Sequence, residues 1–121
     1  MHVLLAYFDV VTTRQSRRPA TTQENNPVFR YLVLINFTDQ GARNVDKSVA
    51  RASSFSQSVE AAGRTLIAQY WAIGEVDGCV VFEAPDETTA SKLLVQLAKD
   101  GNVRTRTSRI LNNEEFQKVL I

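Results

Sequence analysis

The sequence predicts an α+β fold in which strands and helices follow the order βαββαβ, with a short helix at the end. Four short stretches have the apolar runs or the alternation of strands, and two longer stretches have apolar residues every three or four positions, as helices do. A short turn joins the second and third strands, which favours an antiparallel hairpin. Two interleaved β-α-β units of this kind form a ferredoxin-like, four-stranded antiparallel sheet with both long helices on one face.

The first predicted strand, Phe29–Phe37, is apolar on both of its faces. Side chains of a strand alternate between the two faces of the sheet. One face receives Tyr31, Val33, Ile35 and Phe37, and the other receives Leu32 and Leu34. Such a strand must be covered on both sides, so it is predicted to be central in the sheet.

The first long helix is predicted to begin near Thr38 and Asp39, which can cap its N-terminus. Its buried stripe repeats at helical spacing and comprises Val45, Val49, Ala52, Val59 and Ala62. Asp46 and Ser48 can cap a second start, so a break in the helix is predicted near them. Gly63 is placed to end the helix.

A hairpin is predicted next, with strands at residues 64–73 and 76–84 and a turn at Gly74. In the second strand, alternation puts Ile67, Gln69 and Trp71 on one face and Leu66, Ala68 and Tyr70 on the other. In the third strand, Val80 and Phe82 share one face, and Asp77, Cys79 and Val81 share the other. Both strands are therefore expected to present apolar groups to both sides of the sheet.

The second long helix is predicted to start at residues 85–87, whose acidic groups suit the positive end of a helix. Its buried stripe comprises Ala90, Leu93, Leu94, Leu97 and Ala98, and Gly101 marks its end. The fourth strand is predicted at residues 103–111. Asn112 then opens the short final helix, with Phe116, Val119 and Leu120 on its inner side.

Residues 1–28 differ from the rest of the chain. Their apolar run at residues 3–11 is interrupted by Asp9 and is far shorter than the roughly 20 residues that cross a bilayer. Basic residues follow this run rather than precede it, which argues against a signal peptide. We therefore predict a flexible extension over residues 1–28 and one domain over residues 29–121.

The charge and cysteine content narrow the class of protein. Fourteen basic and thirteen acidic residues give a net charge of +1, which argues against nucleic acid as a required partner. The single cysteine, Cys79, allows no intramolecular disulfide and fits a reducing compartment. We therefore expect a cytoplasmic protein with no membrane partner.

The predicted fold leaves one face of the sheet without cover. Both long helices lie on one face, yet the first three strands carry apolar side chains on both. Aliphatic rows of this size that face water usually mark an interface. We therefore predict a homodimer in which two copies pack sheet to sheet.

Five segments resemble the GYD domain family, in the order in which that family has them. They are residues 31–41 (YLVLINFTDQG), 70–77 (YWAIGEVD), 83–86 (EAPD), 101–107 (GNVRTRT) and 114–116 (EEF). The resemblance implies membership of the wider class of dimeric α/β barrels, which includes small oxygenases, isomerases and binding proteins. The resemblance therefore implies a fold, but it implies no particular reaction, because none is established for the family.

The chain departs from that family at two places. The family's motif Gly-x-Tyr-Asp corresponds to residues 74–77 (GEVD), so Val76 replaces the tyrosine. If the tyrosine hydroxyl has a chemical role in the family, this protein cannot perform it. Family members begin close to the first strand, and Val28 lies where their initiator methionine would be. We therefore hypothesise that translation starts at Val28 and that residues 1–27 are an artefact of the assigned start codon.

No catalytic signature is complete in this sequence. His2 is the only histidine, so neither a histidine-based triad nor a histidine metal site is predicted, and no cofactor is expected. The candidate ligand-binding residues are Tyr31, Trp71, Asp77, Arg104 and Arg106. Asp77 is also a catalytic candidate, as a general base if burial raised its pKa. The favoured interpretation is that Asp77 bonds backbone amides or pairs with an arginine.

Three functions fit these observations. The first is a small-ligand-binding or regulatory homodimer, with its pocket between helices and sheet or at the edge of the dimer. The second is a cofactor-independent enzyme acting on a small organic molecule, with Asp77 as base and Trp71 shaping the site. The third is an RNA-binding module, which the near-neutral charge disfavours. The first is preferred because a reaction needs a complete set of catalytic groups.

Overall fold

The computed structural model describes residues 28–121, and the predictions for the N-terminal extension and its start codon lie outside them. The strands are β1 (Phe29–Phe37), β2 (Leu66–Trp71), β3 (Gly78–Ala84) and β4 (Val103–Ile110). The helices are α1 (Asp39–Arg43), α2 (Ser48–Ala61), α3 (Glu87–Asp100) and α4 (Asn113–Leu120), with a 3₁₀ turn at Val45–Lys47 between α1 and α2.

The four strands form one antiparallel sheet in the order β2-β3-β1-β4. Strand β1 lies in the interior between β3 and β4, as its two apolar faces require. The predicted α+β class, the βαββαβ order and the ferredoxin-like sheet are confirmed. The hairpin between the second and third strands is also confirmed.

The hydrophobic core lies between the sheet and the two long helices. Strands β1 and β3 contribute Tyr31, Val33, Val80, Phe82 and Ala84, α2 contributes Phe55 and Val59, and α3 contributes Ala90. The ring of Phe82 is central, since it lies 5.5 Å from the rings of both Tyr31 and Phe55, centroid to centroid. Both long helices therefore cover the same face of the sheet.

The predicted faces of β2 are wrong at its N-terminal end. Leu66 pairs with Phe82 and Ala68 pairs with Val81, so the register shifts between Leu66 and Ala68. This irregularity reverses the alternation, and Leu66 lies against the core rather than beside Ala68 on the other face. The strand is also shorter than predicted, since it runs from Leu66 to Trp71.

The helix boundaries follow local capping chemistry. Thr38 and Asp86 accept hydrogen bonds from the backbone of the first turns of α1 and α3, and Asn112 forms a capping box with Glu115 in α4. The predicted break in the first helix is confirmed by the 3₁₀ turn before Ser48. The φ angles of Gly63 and Gly101 are +100° and +81°, as glycine allows after a helix.

Gly41 is required by a close approach between two parts of the chain. It is buried in α1, and a Cβ built on it would overlap the carbonyl oxygen of Asn102. The same region is held by Thr38, whose backbone N–H donates to the Asn102 oxygen at 3.1 Å and whose hydroxyl donates to the Gly101 oxygen at 2.6 Å. Gly41 therefore lets α1 pack directly on the segment between α3 and β4.

We expect the substitution Gly41→Ala to destabilise the protein by about 1–3 kcal/mol, because the added methyl group must displace backbone atoms. Gly74→Ala is the matched control, since no atom lies within 4 Å of a Cβ built at Gly74. Urea unfolding followed by circular dichroism measures both free energies. Equal stability of the two variants would contradict the packing described for Gly41.

Candidate functional site

A cavity of about 680 Å³ lies between α2, α3 and the helix-covered face of the sheet. Its volume is within the range of small-molecule pockets, roughly 300–1,000 Å³. Its apolar lining includes Ile35, Phe37, Ala52, Phe55, Val80, Leu93, Leu97 and Val103. Polar groups line the same space, among them Arg51, Gln69, Asp77, Lys92, Gln96 and Asp100. A mainly apolar cavity with a few charged groups is typical of a binding site for a small organic molecule.

Trp71 lies at the edge of the sheet and lines this cavity. Its indole is about half exposed, and its Nε1–H donates to the Ser48 hydroxyl at 3.2 Å. This bond connects the end of β2 to the first residue of α2. The position suits the proposed ligand contact of Trp71, because the ring is held beside the cavity rather than packed in the core.

Asp77 also lines the cavity, where backbone groups hold it. The prediction that it shares a face with Cys79 is wrong, because Asp77 lies in the turn before β3 rather than in the strand. Its Oδ2 accepts a hydrogen bond from the Phe37 N–H at 2.8 Å. Its own N–H donates to the Ile35 oxygen at 2.8 Å, and its carbonyl accepts from the Ala72 N–H at 2.9 Å. Asp77 therefore ties the hairpin turn to the end of β1, which supports the structural interpretation over that of a catalytic base.

Arg51 is a cavity residue that the sequence did not single out. It belongs to the first turn of α2, and its Nη1 donates to the Asn44 carbonyl oxygen at 2.9 Å. Its Nη2 is buried and has no hydrogen-bond partner among the described residues. A positive charge in the first turn of a helix interacts unfavourably with the helix dipole. This placement was the one signal in the sequence that could have marked Arg51 as a functional residue.

The other candidate residues lie away from this cavity. Tyr31 is packed in the core against Phe82. Its burial and the nearby carboxylates of Glu87 and Asp86 raise its pKa above the ordinary value of 10.0, and the positive charge of Arg109 opposes this shift. Arg104 and Arg106 lie on the opposite face of the sheet, opposite Asn36 and Leu34 of β1. The structure thus brings together only Trp71 and Asp77 of the five predicted ligand-binding residues.

The opposite face of the sheet has two apolar rows that cross it. One row runs Tyr70, Cys79, Leu34, and ends at Arg106; the other runs Ala68, Val81, Leu32, and ends at Ser108. Most of these apolar side chains are half-buried by their neighbours, whereas Tyr70 is 67% exposed. We call this surface the open face, since the long helices of residues 28–121 cover the other side.

The final helix is attached at one end of the open face. Arg30 donates to Glu83 at 3.3 Å and to Glu115 of α4 at 2.8 Å. Burial alone would raise the pKa of Glu115, but hydrogen bonds from the Asn112 backbone N–H and from Arg30 lower it below the ordinary value of 4.5. The apolar side chains predicted on the inner side of α4 are exposed, namely Phe116, Val119 and Leu120. This part of the structure therefore adds apolar surface next to the open face.

Residues 28–121 lack two features that would point to other kinds of site. No group of three or more His, Cys, Asp or Glu side chains in that range is arranged to hold a metal ion. None of the helices in the same range has the length and apolar character needed to cross a membrane. The cavity and the open face are thus the two surfaces from which function is inferred.

The element order and the sheet topology define a ferredoxin-like α+β domain. The family model for the GYD domain matches residues 31–120, and the chain belongs to the GYD domain family. The chain is 35% identical over 78 residues to a protein of Thermus thermophilus named glutamine synthetase and cystathionine beta-lyase binding protein. That alignment covers 64% of this chain and 82% of the relative. The resemblance drawn from the sequence is confirmed.

We expect the substitution Asp77→Ala to destabilise the protein by about 1–3 kcal/mol, because the part-buried N–H of Phe37 would lose its acceptor. Asp77→Asn keeps a side-chain oxygen and should cost less. Glu75→Ala is the control, since it removes an exposed carboxylate from the same turn. Thermal unfolding followed by circular dichroism ranks the three variants. A melting temperature for Asp77→Ala equal to that of Glu75→Ala would exclude the structural role.

Proposed function

We propose that this protein is a homodimer that binds a small organic molecule in the cavity between its helices and its sheet. The observation that carries the proposal is the cavity itself, about 680 Å³ of mainly apolar space with charged groups at its wall. Its apolar lining reaches the surface beside the half-exposed Trp71, and an organic molecule bound there would bury apolar surface that otherwise contacts water. Trp71 and Asp77 are proposed ligand contacts on the wall of this cavity.

The open face supports the second half of the proposal. Its rows of Leu32, Leu34, Cys79 and Val81 lie at the centre of the sheet, where a self-complementary apolar surface suits a two-fold axis. Two copies that pack these faces together would form the dimeric α/β barrel implied by the sequence. Arg104 and Arg106 would then lie beside the dimer contact rather than in the cavity.

The Thermus relative supports a second candidate function, a regulatory role exerted through contacts with other proteins. Its name states that it binds glutamine synthetase and cystathionine beta-lyase. For the present chain we propose protein partners of the same kind, metabolic enzymes, as an addition to ligand binding. Exposed apolar residues offer a surface for such a contact: Tyr70 in the edge strand β2, and Ile73 just after it. Val45 in the 3₁₀ turn and Val49 in α2, which were predicted to be buried, are exposed as well.

A cofactor-independent enzyme is the weaker alternative. It needs a base at the cavity, and the carboxylate proposed for that role already accepts the Phe37 N–H. Binding needs only the shape and polarity of the cavity, whereas turnover needs a nucleophile or base and a group to stabilise developing charge. The geometry of Asp77 therefore favours binding without turnover.

Protein purified under native conditions is expected to carry a small organic molecule, or to take one up from a cell extract, because a ligand would bury the apolar lining of the cavity. Native and denaturing mass spectrometry of the same sample detect the added mass and its release. Ala52→Phe places a ring in the cavity and should lower the amount of bound molecule. Ala50→Phe makes the same change at an exposed site of α2 and should not. Wild-type protein that stays free of ligand in extract would refute the proposal.

The wild-type protein is expected to sediment as a dimer at micromolar concentration. Val81→Asp places a charge at the centre of the open face and should shift the mass toward the monomer. Val95→Asp, the same change on an exposed part of α3, should leave the dimer intact. Sedimentation velocity over a range of concentrations measures all three proteins. A wild-type monomer would contradict the homodimer whatever the variants show.

A further inference from the structure

We infer that the cavity recognises an organic anion with an apolar body, and that the Arg51 guanidinium binds its carboxylate or equivalent acidic group. This inference rests on the proposed ligand-binding function and specifies the chemical class of the ligand. Three observations carry it: the incomplete pairing of Arg51, the position of Arg51 in its helix, and the composition of the cavity wall.

The guanidinium of Arg51 is only partly satisfied. Its Nη1 donates to the Asn44 carbonyl oxygen at 2.9 Å, while Nη2 has almost no exposed area and no hydrogen-bond partner among the described residues. No carboxylate of residues 28–121 forms an ion pair with it, whereas Arg30 pairs with both Glu83 and Glu115. A buried guanidinium N–H without an acceptor is costly, and an acidic group of a ligand in the adjoining cavity would supply an acceptor.

The position of Arg51 in α2 does not favour the stability of the helix. The residue belongs to the first turn of this 14-residue helix, where the helix dipole repels positive charge. The start of α2 has no side-chain cap and no acidic residue in its first turn. The guanidinium is therefore a positive charge on the cavity wall that no acidic residue in the first turn of α2 offsets, and it favours a bound anion.

The remaining charges on the cavity wall are consistent with this assignment. Lys92 is a second cation on the wall. Of the two acidic groups, Asp77 accepts the Phe37 N–H and Asp100 accepts a bond from the Gln96 amide at 3.0 Å. Both acids thus have donors within the fold, whereas Arg51 lacks an acceptor for Nη2 among the described residues.

The apolar part of the cavity wall determines which kind of ligand body fits beside the acidic group. Phe55, Leu93 and Leu97 come from the two helices, and Ile35 and Val80 come from the sheet. Such a wall binds a ring or alkyl chain by burial of apolar surface, while the guanidinium fixes the orientation of the acidic group. The cavity therefore suits an aryl- or alkyl-carboxylate better than an inorganic anion or a sugar.

Phenylacetate and phenylacetamide are a matched pair of probes for this inference, because they share a shape and differ in charge. Isothermal titration calorimetry of the wild-type protein should show phenylacetate binding at least about tenfold more tightly, as expected for a charge-assisted bond. Arg51→Gln should remove this preference and leave binding of phenylacetamide within about twofold. Arg43→Gln, at an exposed site of α1, should keep the preference.

A second measurement does not depend on the fold of any variant. In wild-type protein labelled with ¹⁵N-arginine, phenylacetate should shift the side-chain Nε–H resonance of Arg51, and phenylacetamide should leave it in place. Equal affinity for the two probes, or phenylacetate binding to Arg51→Gln that matches Arg43→Gln, would overturn anion recognition while ligand binding stands. Failure of both probes to bind at millimolar concentration, with no co-purified molecule, would overturn the proposed function and the inference together.

Discussion

The apolar character of β1 on both faces is the constraint on which this structure depends. Val33 is fully buried beneath the helices, while its neighbours Leu32 and Leu34 lie on the other side of the sheet. Because the strand needs cover on both sides, it occupies an interior position, and β3 pairs with it along almost its full length. Two long helices shield one face only. The open face follows from this arrangement of layers rather than from any local feature of the sequence.

The cavity has a similar origin in the way the helices meet the sheet. The buried core is centred on Phe82, where Tyr31 and Phe55 contact the same ring. Toward the other end of the sheet, the space between α2 and α3 is left to the cavity, and Arg51, Trp71 and Asp77 form part of its wall. Trp71 reaches Ser48 and Asp77 reaches Phe37, so hydrogen bonds fix this end of the domain without filling it. These two hydrogen bonds therefore hold the wall of the cavity in place and leave the cavity itself unoccupied by side chains.

Local chemistry made much of the fold predictable. The caps at Thr38, Asp86 and Asn112 and the left-handed glycine at Gly101 act within a few residues, so the sequence displays them directly. The features that were missed depend on distant partners. The irregularity at Leu66 arises from pairing with β3, and the need for glycine at Gly41 arises from Asn102, some 60 residues away. The position of Arg51 near a helix start could be read from the sequence, but its missing acceptor can be seen only when the neighbouring segments are in place.

The two proposed binding surfaces share the same strands. Ile35 and Val80 line the cavity, while Leu34 and Val81, adjacent to them in the chain, belong to the open face. Antiparallel pairing fixes both sets at once, since a slip of one residue would exchange them. A ligand bound in the cavity would contact the same two strands that form the proposed dimer contact. If it favoured one arrangement of these strands, it would couple the proposed ligand site to the proposed interface, as a regulatory role requires.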